Sequence, residues 1–310
     1  MLRVQRANDT ITAIAGVKVG HVTNTAARTG CTVVLYEAGA VAGVEVRGSA
    51  PGTRETDAIR PGCLVLSAHA VLLTGGSAFG LDAASGVMQY LEERDIGFAA
   101  GPVRVPIVPA AVIFDLRVGD PKVRPDLAMG YQACVNATDA PVTMGLVGAG
   151  TGATVGKLPG LTPCNGGLGS VCAVREDSGL MVGAIVVVNA VGNIIDPATG
   201  AVLAGARDAA SGKFVGVEAY LAAGKPFENT TIGVVATNAA LTPAEATKVA
   251  QMAHDGLART IRPIHTMFDG DTIFTLATGK QQASVNTIGI LAAEVMAQAV
   301  LRSVAPLQSA

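Results

Sequence analysis

The sequence predicts an α+β chain built in layers, with sheets lying between helices. Three observations carry this. Several pairs of β-branched, apolar runs are joined by hairpin-length turns; several other stretches carry apolar residues at helical spacing; and half of the 310 residues are hydrophobic against 15% charged, which suits a large buried core. There is no inter-domain linker and no 20–50-residue repeat, so one domain over 1–310 is expected.

Taken in order, residues 10–20 alternate apolar and small or polar side chains, as a half-buried strand does. Residues 31–36 and 41–47 read as two more strands, joined as a hairpin through Glu37-Ala38-Gly39-Ala40. The polar stretch 48–57 has neither period and is a loop. Residues 70–74 form a strand that runs into Gly75-Gly76-Ser77-Ala78-Phe79-Gly80-Leu81-Asp82 and then a helix to about Arg94. A Gly-rich turn ahead of a helix directs backbone N–H groups at one spot; close packing of strand on helix is its other use.

Pro102, Pro106 and Pro109 exclude a helix at 102–114, leaving an extended loop and a short strand at 111–114. A helix is expected at 122–134. The segment Gly148 to Lys157 invites a phosphate-loop reading, but position 151 is Thr where that template needs Gly, and 158 is Leu where it needs Ser or Thr. Strands 168–175 and 180–188 form a hairpin, and Asp196 to Gly200 is a turn. Residues 231–237 form a strand, preceded by Glu228-Asn229-Thr230. Thr242-Pro243-Ala244-Glu245 is a capping box opening a helix to about Arg259, and a last helix starts near Thr287.

The net charge of −2 gives no electrostatic case for nucleic acid or an anionic membrane. Apolar runs such as Leu180 to Val191 are too short to span a bilayer, and the first nine residues hold no signal-peptide core. Five scattered Cys without a C-x-x-C pair fit reduced thiols in a cytoplasmic protein. No cofactor and no metal ligand set is expected. The mean hydropathy of +0.45 is high for a monomer and points to a homo-oligomer.

One stretch carries chemistry. In Phe268-Asp269-Gly270-Asp271-Thr272-Ile273-Phe274, Asp-Gly marks a tight turn and β-branched and aromatic residues follow, so Thr272 is expected to open a strand. A hairpin turn accounts for this pattern. So does a chain that cuts itself at Asp271–Thr272, which gives Thr272 both a hydroxyl and a free α-amine. A Thr hydroxyl needs a base, and an α-amine titrating near 7.7–8.0 is one that comes already positioned.

Several stretches in order then resemble one family: Val19-Gly20-His21 with Thr29-Gly30-Cys31-Thr32-Val33, Ala50 to Thr56, Gly75 to Leu81, Gly148 to Ala153, and Asp269-Gly270-Asp271-Thr272. Together they are similar to the self-processing N-terminal-nucleophile aminopeptidases, a group that includes D-aminopeptidase/D-esterase, β-peptidyl aminopeptidases and the nylon-oligomer hydrolase. The resemblance covers nearly the whole chain. It implies a four-layer α/β/β/α sandwich, autoproteolysis into 1–271 and 272–310, a tetramer of processed pairs, and a small peptide or amide as substrate. It implies Thr272 as nucleophile, with the Asn229 side chain and the backbone N–H of Leu81 as oxyanion donors; Asn238 competes with Asn229. Lys157 matches the lysine of the nylon-oligomer branch. Ser284 and Asn286 fall where the family places a polar pair that orients the nucleophile, without the carboxylate other members carry. An amine-accepting acyltransferase and a non-catalytic relative are the alternatives of the same fold.

Overall fold

The computed structural model describes residues 8–216, 219 and 229–305. Nine strands form one continuous hydrogen-bonded system: β1 (Lys18–Asn24), β2 (Thr29–Val46), β3 (Thr53–Arg54), β4 (Ser67–Thr74), β5 (Ala110–Val112), β6 (Gly167–Val174), β7 (Met181–Asn189), β8 (Thr230–Ala239) and β9 (Thr272–Gln281). Their order is β6-β7-β8-β9-β2-β4-β5-β3, with β1 on β2. Among the described residues, four helices pack on this system: α1 (Ala83–Glu92), α2 (Leu127–Val135), α3 (Pro243–Thr260) and α4 (Val285–Val304).

Three cores separate four layers. Because successive strand side chains point to opposite faces, Ala184, Val186 and Val188 of β7 pack with α3 and α4 in one core, whereas Ile185 and Val187 join Val234, Phe274 and Leu276 in a second. Val34 and Tyr36 of β2 line that second core from the facing sheet, and their neighbours Val33 and Leu35 meet α1 and α2 in the third. This is the α/β/β/α arrangement.

The expected hairpin at 31–47 is instead one strand. Residues 29–35 of β2 pair with β1, residues 41–46 pair with β9, and β4 runs along both halves. The register breaks between Leu35 and Ala40, where Gly39 takes φ 78°. Glu37 to Ala40 therefore make a bulge that bends a strand from one sheet into the other, the usual corner of packed sheets. The expected strand at 10–20 is also shifted. Ile11–Ala13 form a 3₁₀ turn and the strand begins at Lys18; Ile11, Ile14 and Val17, three residues apart, all point inward.

The hairpin of β6 and β7, the capping box at Thr242 and Glu245, and a strand opening at Thr272 stand as read from the sequence. Of the described helices, Val285–Val304 is long and apolar enough to cross a membrane by length and composition; 67% of that stretch is buried inside the fold.

Candidate active site

The site is built where strands from both sheets begin or end. Thr272 opens β9 and pairs in parallel with Ile232 of β8 on one side and antiparallel with Val46 of β2 on the other. The turn before it is tightly bonded. Asp269 Oδ2 accepts from Thr266 N and Oγ1 at 2.7 and 2.5 Å, Asn229 N donates to Phe268 O at 3.0 Å, and Gly270 N donates to Asn229 O at 2.9 Å. Gly270 has no room for a side chain, since a Cβ would lie 2.6 Å from Ala50 O.

Thr272 is fully buried, and its hydroxyl donates to Gly270 O at 3.0 Å. The carbonyl of the preceding residue, Asp271, accepts from the N–H groups of Arg47 and Gly48 at 3.0 and 3.3 Å. A Cβ on Gly48 would fall 2.2 Å from Asp269 O and 2.3 Å from Asp271 N, so only glycine lets β2 approach this closely. The Asp271 carboxylate accepts from Thr231 N at 2.6 Å, from His265 N at 3.1 Å and from His265 Nδ1 at 2.8 Å. His265 sits at φ 58° and its ring meets that of His254 edge-on, 4.9 Å between centroids. His254 is buried, which holds it neutral with its pKa pushed down to about 3, and its Nε2–H donates to Glu45 O at 3.1 Å.

Lys157 reaches the same end from the loop after Thr154–Val155. Its ammonium donates to Asn189 O at 2.9 Å and to Asn189 Oδ1 at 2.7 Å. Asn189, the last residue of β7, also donates through Nδ2 to Phe114 O at 3.1 Å and so ties the two sheets together. Two carboxyls feel this cation. Asp269 is raised to about 6 by burial and by the charge of Asp271, with Thr266 and Lys157 acting the other way. Asp115 is raised by burial, against hydrogen bonds from Thr29 Oγ1 and Gly76 N, both 2.7 Å, and the charge of Lys157. A cavity of about 450 Å³ opens beside Lys157, with Arg28, Phe114, Arg117, Thr154 and Asn165 among its walls.

Thr272, Asp271, Asn229 and Lys157 therefore gather at one end of the sandwich. Asn229 is buried in the parallel bridge to Asp269. Leu81 lies in the 3₁₀ turn Ser77–Asp82 after β4. Backbone bonds connect that region to the Thr272 turn: Ala50 N donates to Asp269 O, and Val112 N, on the strand beside β4, donates to Gly52 O. The N–H of Gly76 at the head of this turn is already taken by Asp115.

Ser284 and Asn286 are not part of this cluster. β9 runs from Thr272 to Gln281 before reaching them, about 30 Å at strand rise. Ser284 is exposed and caps α4, accepting from Thr287 N at 3.1 Å, and Asn286 is exposed beside it. A larger cavity of about 670 Å³ lies near them, and its Arg175 is tied to Asp177. Asn238 is likewise at the far end, clamping Met181 N and Gly179 O. Glu228 lies outside the described residues. Sequence reasoning missed Asn189, Asp115 and His265. A polar residue ending the apolar run of β7 was the available signal for Asn189; nothing local marks the other two.

The model of peptidase family S58 matches residues 9–309. An uncharacterised aminopeptidase of Mycobacterium tuberculosis is 44% identical over 330 residues, covering 96% of this chain and 93% of that one. The 6-aminohexanoate-oligomer endohydrolase of Kocuria sp. is 33% identical, covering 93% and 84%. Among solved structures, the L-aminopeptidase D-Ala-esterase/amidase of Ochrobactrum anthropi superposes with a TM-score of 0.73 at 19% identity over 97% of this chain and 88% of that one. A Burkholderia sp. β-aminopeptidase gives 0.69 at 24% over 98% and 89%. These two establish the fold, that of N-terminal-nucleophile hydrolases, and the match of the family model along nearly the whole chain establishes that this protein belongs to peptidase family S58.

Proposed function

We propose that the chain cuts itself between Asp271 and Thr272 and then works as an amide hydrolase with Thr272 as N-terminal nucleophile. The observation that carries this is the Asp271–Thr272 peptide itself. Its carbonyl rests on two N–H groups, from Arg47 and Gly48, and the neighbouring hydroxyl is fixed by Gly270 O. Thr272 Oγ1 adds to the Asp271 carbonyl carbon and the oxyanion forms against those N–H groups. The C–N bond breaks as the hydroxyl proton passes to the Thr272 nitrogen. Water then hydrolyses the ester, leaving Asp271 as a carboxylate and Thr272 with a free α-amine.

In turnover the neutral amine takes the hydroxyl proton as Oγ1 attacks a substrate amide, and returns it to the leaving amine; water releases the acyl group. Lys157 keeps the new amine neutral by like-charge repulsion. The Asn229 side chain and the Leu81 N–H stabilise the oxyanion, each donor contributing about 3–4 kcal/mol to the barrier. The substrate is a small peptide or linear amide, a reading supported by relatives named aminopeptidase and 6-aminohexanoate-oligomer endohydrolase. Processed pairs assemble as a homotetramer in the cytoplasm. Mass spectrometry of the purified protein tests the central step: two pieces, 1–271 and 272–310, with Thr272 as a new N-terminus, are expected. A single intact chain that still hydrolyses peptides would remove Thr272 from the mechanism.

A further inference from the structure

Asp271 donates only its carbonyl to the reaction, yet its side chain is the most tightly held carboxylate in the site. Oδ1 faces Thr231 N and Oδ2 faces both N and Nδ1 of His265. His265 takes a left-handed backbone conformation, φ 58°, which few non-glycine residues adopt but His, Asn and Asp do more readily than others, and in doing so presents both nitrogens to one oxygen. Its Nε2 is buried and meets no hydrogen-bond partner among the described residues, so the ring hydrogen sits on Nδ1 and is donated to the carboxylate.

Two consequences follow for the bond beside it. A carboxylate on the residue that supplies the scissile carbonyl places a negative charge next to a developing oxyanion and opposes it. A loose carboxylate can also close on its own carbonyl carbon and compete with Thr272. Three hydrogen bonds directed at Oδ1 and Oδ2 disperse the charge and hold both oxygens off the carbonyl.

We propose that His265 is a positioning residue for self-cleavage, holding the Asp271 carboxylate and dispersing its charge so that the carbonyl stays open to Thr272. The proposal rests on the self-cleavage reading above. Other ionisable groups face this pair from each neighbouring element. Asp269 lies on the same turn, Lys157 acts on Asp269 from its loop, His254 of α3 packs on the ring, and Glu45 comes from β2 and Arg47 from just beyond its end, Arg47 also reaching Asp255.

The test uses the full chain, expressed and denatured-quenched at intervals, with the cut fraction read on a denaturing gel at pH 7.5. His265→Gly keeps the backbone conformation without strain and removes the imidazole. His265→Asn suits the same conformation and restores a donor near Nδ1. At pH 7.5 His265→Gly is expected to cut about 10- to 100-fold more slowly than wild type, the range of a hydrogen bond to a charged group, and His265→Asn to recover most of that loss. Equal rates at pH 7.5, or a slow His265→Gly whose deficit His265→Asn does not relieve, would overturn the role of His265 while leaving self-cleavage standing. A wild-type chain that never cuts would overturn the reading beneath it, and this role with it.

Discussion

Lys157 Nζ donates to Asn189 Oδ1 at 2.7 Å, and the same Asn189 donates to Phe114 O at 3.1 Å. One amide thus fixes a cation and joins two sheets at the end where β9 begins. Asn189→Ala removes the side-chain acceptor of a half-buried ammonium, and a fall of about 10-fold in kcat/KM on a peptide amide is expected. Lys157→Met is expected to cost about 100-fold and, since Lys157 lowers the Asp269 carboxyl, to move that titration further up. Initial rates against pH read both effects.

Thr272→Ala separates the chain's chemistry from its fold. The hydroxyl is buried and, among the described residues, bonded to Gly270 O, so its loss costs about 1 kcal/mol of stability. An intact chain by mass spectrometry and no measurable amide hydrolysis are expected. Wild-type turnover in this variant would refute the nucleophile.

Gly48→Ala drives a Cβ to 2.2 Å from Asp269 O and 2.3 Å from Asp271 N, both backbone atoms. Neither can swing aside as a side-chain tip would, so a loss of about 2 kcal/mol or more is expected from overpacking. The displaced turn should also cut slowly. Urea unfolding and the cut fraction measure the two.

His254 gives a signed pH prediction. Its pKa falls from 6.5 to about 3 in the fold because burial penalises the charged ring. The group's contribution is therefore complete above 6.5 and is lost as the pH falls through that window, by about 1.4 kcal/mol per pH unit. From pH 6.5 to 5.0 wild type is expected to lose about 2 kcal/mol that His254→Gln does not lose. Urea titrations at the two pH values compare the slopes; equal slopes would mean that His254 is charged in the fold.

The parts of this fold that are local were legible in the sequence. The capping box at Thr242 and Glu245, the turn that ends at Asp271 and the strand starting at Thr272 each follow from neighbours within a few residues. The path of β2 was not, because Glu37 to Ala40 carry the same residue types whether they close a hairpin or form a bulge, and only the pairing with β9 decides. Ser284 fits a polar partner by type, but helix-capping accounts for the same residue, and the length of β9 sets it far from Thr272. His265, Asn189 and Asp115 escaped notice because their chemistry depends on partners from other elements, as with Asp115 and Thr29.

β9 lies between β8, its parallel neighbour, and β2, its antiparallel one, at the middle of the sheet order. Severing the backbone ahead of it leaves a central strand and α4 as a separate polypeptide, clasped on both sides. Unfolding then changes molecularity: the uncut chain regains its form alone, whereas the processed one must find its other piece in solution. If the chain is cut as proposed, maturation would be a ratchet: a molecule once matured and denatured at high dilution would have no unimolecular way back, and its lifetime would be governed by how slowly β9 is pulled free.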